Sequence, residues 1–63
     1  MTIKKVYYIQ NSCNLDDALA TLKMMFPNCI INREYIEMDF SEIEVIWDSR
    51  FISLIESALA PLM

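Results

Sequence analysis

Residues 34–47, EYIEMDFSEIEVIW, carry five carboxylates at nearly every second position, with no lysine or arginine among them. A period of two is the mark of an extended chain whose side chains alternate between two faces. In this tract Ile36, Met38 and Phe40 alternate with Glu37 and Asp39, and Ile43, Val45 and Trp47 alternate with Glu42 and Glu44. The competing reading is a helix from residue 42, because Ser41 and Glu44 form a capping box and Phe40 and Val45 a hydrophobic staple. Helical rotation of about 100° per residue argues against it. From Ser49 onward Phe51, Leu54, Ile55, Ala58 and Leu62 make one apolar stripe, and extending that helix backward places Glu44 and Asp48 inside it. Burying an unpaired carboxylate costs several kcal/mol or forces it to take a proton. Residues 42–47 are therefore read as a strand, with Asp48 capping a second helix at 49–60.

The rest of the chain divides by the same test of period. Thr2–Gln10 is rich in β-branched and aromatic residues and ends at the polar NSCN, which predicts a strand. Its two alternating sets, Ile3/Tyr7/Ile9 and Val6/Tyr8, both contain apolar residues, so a central position in the sheet is expected. From Asn14 the period becomes 3.6, with Leu15, Ala18, Leu19, Leu22, Met25 and Phe26 on one side. Asn14 is the expected N-cap, Asp16 and Asp17 suit the positive end of the helix dipole, and Pro27 stops the helix at Phe26. Cys29–Ile31 reads as a short strand, Asn32–Glu34 as a turn, and residues 36–40 as the returning strand.

The predicted class is α+β, a single small domain over residues 1–63. Its order is β-α-β-β-β-α, a mostly antiparallel sheet with two helices packed on one face. A chain this short buries only about 60% of the surface that its unfolded form exposes. Its hydrophobic fraction is 56%, so some apolar area is expected to meet a partner or a second copy. Met24, Ile52, Leu59 and Met63, off the helical stripes, and Leu62 at the end of the second stripe are the candidates for self-association, in the manner of an accessory or antitoxin-like homodimer. No apolar run approaches the roughly 18 residues of a membrane span, and MTIKKVYYIQ has neither the apolar core nor the cleavage site of a signal peptide. A soluble, cytoplasmic protein is expected. Cys13 and Cys29 are read as reduced thiols, the first in a loop and the second a buried small hydrophobe.

Charge is distributed unevenly. Residues 1–33 sum to +2 and residues 34–63 to −6, within a net charge of −4. Direct nucleic-acid binding needs a basic footprint that the chain lacks. Catalysis has little to draw on: there is no histidine to move protons near neutral pH and no glycine for a phosphate-cradling loop. No enzyme activity, cofactor or metal is expected. With the helices on the Ile43/Val45/Trp47 face, Glu37, Asp39, Glu42 and Glu44 emerge together on the open one, with Tyr35 beside them. Alternating acids also serve simply to keep a sheet wet. A face built only for solubility would interleave lysine, however, so the pattern favours docking on a basic surface of a nucleic-acid-handling protein, as an inhibitor or nucleic-acid mimic of phage type.

Overall fold

The computed structural model describes residues 1–63. The elements run β1 (Thr2–Gln10), α1 (Cys13–Met25), β2 (Ile30–Tyr35), β3 (Phe40–Asp48) and α2 (Ile52–Leu59), closing in a short 3₁₀ turn at Ala60–Leu62. The three strands lie in the order β1-β3-β2, and β3 is antiparallel to both neighbours. The α+β class and the placing of both helices on one face of an antiparallel sheet hold. Residues 42–47 are extended, within the nine residues of β3.

Alternation along the strands builds the core. β3 sends Ser41, Ile43 and Val45 inward, all at 0% exposure, where they meet Ile9 of β1 and Ile31 of β2. The helices close the other side with Leu15, Leu19 and Leu22 from α1 and Ile52, Ile55 and Leu59 from α2. Complete burial of one such aliphatic side chain contributes about 1.5–3 kcal/mol. One end of the core is finished by rings: Trp47 stands between Phe26 and Phe51, at centroid distances of 5.1 and 5.4 Å.

The structure corrects several expectations. The sheet has three strands, not four, because β2 runs unbroken through Asn32–Glu34 and the reversal falls at residues 36–39. Polar residues persist in β2 because Asn32 and Glu34 face the open side while Arg33, on the helix side, finds partners there. Ile36 and Met38, the supposed inward set, sit on the reversal, and Met38 is 94% exposed. β1 is an edge strand and β3 is the central one.

α1 begins at Cys13 rather than after Asn14. Ser12 is its cap, accepting a hydrogen bond from the Leu15 amide at 3.1 Å, so Asn14 lies inside the first turn and Cys13 is helical. α2 starts at Ile52 rather than at residue 49, without a side-chain cap. Asp48 instead closes the preceding turn, accepting from the Arg50 amide at 2.9 Å. The inward stripe is accordingly Ile52, Ile55 and Leu59, while Phe51 and Leu54 are partly exposed. Ile52 and Leu59 therefore belong to the core and cannot offer a free contact surface. Leu62 packs partly against the same core, whereas Met24 and Met63 stand exposed.

Candidate functional site: the open face of the sheet

The strand register assigns every side chain to a face. Opposite the helices, β1 presents Thr2, Lys4, Val6, Tyr8 and Gln10, β3 presents Phe40, Glu42, Glu44 and Ile46, and β2 presents Ile30, Asn32 and Glu34. Glu34 of β2 and Tyr8 of β1 flank Glu42 directly, and Asn32 and Val6 flank Glu44. Two carboxylates, Glu34 and Glu42, thus stand opposite one another on adjoining strands, an arrangement that destabilises a ladder. With Asn32, Arg33 and Glu44 they line a concavity of about 370 Å³.

Compensation on this face is sparse. Lys4 Nζ lies 3.7 Å from Glu44 Oε2, and Asn32 Nδ2 donates to Glu44 Oε1 at 3.2 Å. Neither reaches Glu34 or Glu42. Around the acids stand exposed apolar groups: Val6, Tyr8, Ile30 and Phe40.

Of the residues expected to form this site, the structure brings Glu42 and Glu44 together on the open face. Glu37 and Asp39 lie on the exposed reversal between β2 and β3, not on the plane of the sheet. That reversal is tied to the rest of the molecule through its backbone, the Asn11 amide donating to the Asp39 carbonyl at 2.6 Å. Tyr35 belongs to the opposite side. Because β2 extends through it, it shares the parity of Ile31 and Arg33, and the Arg33 guanidinium lies 4.6 Å from its ring centroid. Glu34, expected in a turn, joins Glu42 and Glu44 on the open face. The signal that marks it is its spacing of two from Asn32, visible only once β2 is recognised as continuous.

The helix side treats charge differently. Arg33 is the hub of a polar cluster at the end of the core opposite Trp47. Its Nε donates to Ser41 Oγ at 3.1 Å, one terminal nitrogen donates to Asn11 Oδ1 at 2.9 Å, and the other forms an ion pair with Asp16. Ser41 also donates to Asn11 Oδ1. No buried side-chain nitrogen or oxygen is left without a partner. Along β1, Glu56 of α2 accepts from Lys5 Nζ and from the Tyr7 hydroxyl, each at 2.8 Å. Those two bonds hold the Glu56 carboxyl below its ordinary range, Lys5 having the larger effect. The Tyr7 hydroxyl is raised, first by burial and then by its bond to Glu56.

Elsewhere, Arg50 lowers Asp48 to a pKa of about 2 through side-chain and backbone hydrogen bonds. Burial raises the Cys29 thiol; Cys13 and Cys29 are both free. No three acidic, cysteine or histidine groups converge in a way that could hold a metal ion. No helix is long and apolar enough to cross a membrane. Comparison with protein-family models, with curated proteins and with solved structures finds no match to this chain.

Proposed function

We propose that this chain is a non-enzymatic docking protein whose acidic sheet face binds a basic surface of another protein, of the kind that holds nucleic acid, and competes with nucleic acid for it. The observation that carries this reading is the Glu34–Glu42 pair on neighbouring strands with Glu44 next along β3, where a single lysine is the only cation on the face. Adjacent strands are about 4.8 Å apart and same-face neighbours along a strand about 6.6 Å apart, so the carboxylates recur on the scale of phosphates along a nucleic-acid strand. Glu37 and Asp39 extend the negative potential past the end of β3. Like charges held this close in a folded sheet are relieved when a partner supplies lysine or arginine, and the same field would speed encounter and make binding sensitive to salt. The exposed Tyr8 and Phe40 on the same side supply aromatic area of the sort enriched at protein interfaces.

A non-enzymatic role agrees with the chemistry available. The chain has no histidine, and its acidic groove opens to solvent rather than enclosing a substrate. The test is capture from host lysate at low and high salt, followed by measuring whether the captured protein's binding to nucleic acid is displaced by this chain. Displacement that disappears on Glu34→Lys/Glu42→Lys substitution is the expected result; a captured protein that holds nucleic acid and this chain simultaneously contradicts the reading.

A further inference from the structure

The outer edge of β1 is a nine-residue strand paired on one side only, with no proline to blunt it. Its sequence from Ile3 to Ile9 is IKKVYYI, which reads as self-complementary about Val6. Laid antiparallel against a copy of itself with Val6 opposite Val6, the strand sets Ile3 across from Ile9, Lys4 across from Tyr8 and Lys5 across from Tyr7. We propose that β1 pairs in this register with β1 of a second copy about a two-fold axis at Val6, joining the two sheets into one of six strands.

The direction of the backbone groups permits this register. The Ser49 amide donates to the Met1 carbonyl at 2.9 Å and the Asn11 amide to the Asp39 carbonyl at 2.6 Å. Met1 and Asn11 are thus both in hydrogen-bonded positions against β3, and by alternation so are the odd-numbered residues between them. The N–H and C=O groups of Thr2, Lys4, Val6, Tyr8 and Gln10 point the other way, to the free edge. A two-fold axis at Val6 pairs Val6 with Val6, Lys4 with Tyr8 and Thr2 with Gln10, all of them positions with outward groups. An axis between two residues would set an outward position against one whose backbone groups are turned toward β3; among axes that pass through a residue, the side chains select Val6.

Side-chain chemistry agrees with the backbone. Lysine on a strand edge usually blocks pairing by repulsion. In this register each lysine faces a tyrosine instead, and a lysine over an aromatic ring is attracted to it. On the open side Lys4 meets the partner copy's exposed Tyr8. On the helix side Lys5 meets the second copy's Tyr7, whose hydroxyl is already bound to that copy's own Glu56, so positive and negative groups alternate around the axis. Lys4 and Tyr8 lie outside the residues that line the acidic groove, and the contact is tested on this chain alone, with no docking partner present.

The experiment is sedimentation or light scattering over a concentration series, with far-UV circular dichroism as the check on folding. Wild type is expected to pass from 7.4 kDa to twice that mass as concentration rises. Tyr8→Lys sets lysine against lysine twice per dimer and is expected to weaken association by about ten-fold or more. Adding Lys4→Tyr to it restores a lysine-tyrosine pair at both places and is expected to restore the dimer. A wild type that stays monomeric throughout, a dimer indifferent to Tyr8→Lys, or a failure of the double variant to recover would each overturn the assignment.

Discussion

The two faces of β3 obey different rules. On the helix side polar groups are few and every one is answered: Arg33 by Asn11, Asp16 and Ser41, and Glu56 by Lys5 and Tyr7. On the open side three carboxylates stand within one groove and a single lysine approaches one of them at 3.7 Å. The chain is therefore able to place counter-charges where folding needs them, and it does so beneath the helices while leaving Glu34 and Glu42 opposed. The covered face is organised for stability. On the open face Glu34 and Glu42 set like charges opposite one another across the ladder, and the proposed basic partner would supply the counter-charge.

That contrast can be broken first at its strongest point. Ile43→Ala removes a side chain at 0% exposure from the centre of β3, and urea unfolding is expected to show a loss of about 2–5 kcal/mol. A loss under about 1 kcal/mol would mean that the covered face is not the main source of stability. The next largest effect is expected from Arg33→Ala, which deprives the fully buried Ser41 and its neighbour Asn11 of a donor. The same assay should register about 1–3 kcal/mol. Glu34→Lys on the open face is expected to act in the other direction, stabilising by about 0.2–1 kcal/mol at low ionic strength as repulsion from Glu42 turns into attraction. A destabilised Glu34→Lys would erase the distinction between the faces.

The smallest effect is a pH dependence. Glu56 and Asp48 both have folded-state values below their ordinary ones, of 4.5 and 3.8, so their contribution is complete above those values and is lost as the pH falls. For Asp48 the loss runs from about 4 toward 2. Tyr7, raised from 10.0, works in the opposite sense: its contribution is present below that pH and declines as the solution becomes more alkaline. Glu56→Gln should flatten the upper part of the acid limb in a thermal-melt series, and Tyr7→Phe the alkaline limb. Unchanged limbs would show that the Glu56 cluster does not contribute through its charge.

Much of the architecture was legible because it depends on local pattern. β3 could be read from the alternation of Ile43, Val45 and Trp47 with Glu42 and Glu44, and α1 from its 3.6 period and the stop at Pro27. Most of what escaped depends on contacts distant in sequence. Asn32–Glu34 resembles a turn until Arg33 is seen to meet Asn11, Asp16 and Ser41, residues supplied by three other segments. Ile36 and Met38 alternate convincingly with acids, yet no element covers them. The rotation of α2 is fixed by the Asp48–Arg50 turn and by Glu56 reaching Lys5 and Tyr7, so its stripe fell on Ile52, Ile55 and Leu59 instead of Phe51 and Leu54. For the open face, Glu42 and Glu44 were legible from β3 alone, whereas Glu34 required the register of β2, and Tyr35, Glu37 and Asp39 moved off the plane for the same reason.

The most direct test of the open face is the affinity of the captured partner for the wild type and for Glu34→Lys/Glu42→Lys, titrated at low salt with both proteins shown to be equally folded. Binding that falls by at least a hundred-fold in the reversed variant, while its stability is equal to or above that of the wild type, is the predicted result. Equal affinity for the two would contradict the claim that these carboxylates are held unpaired for a partner.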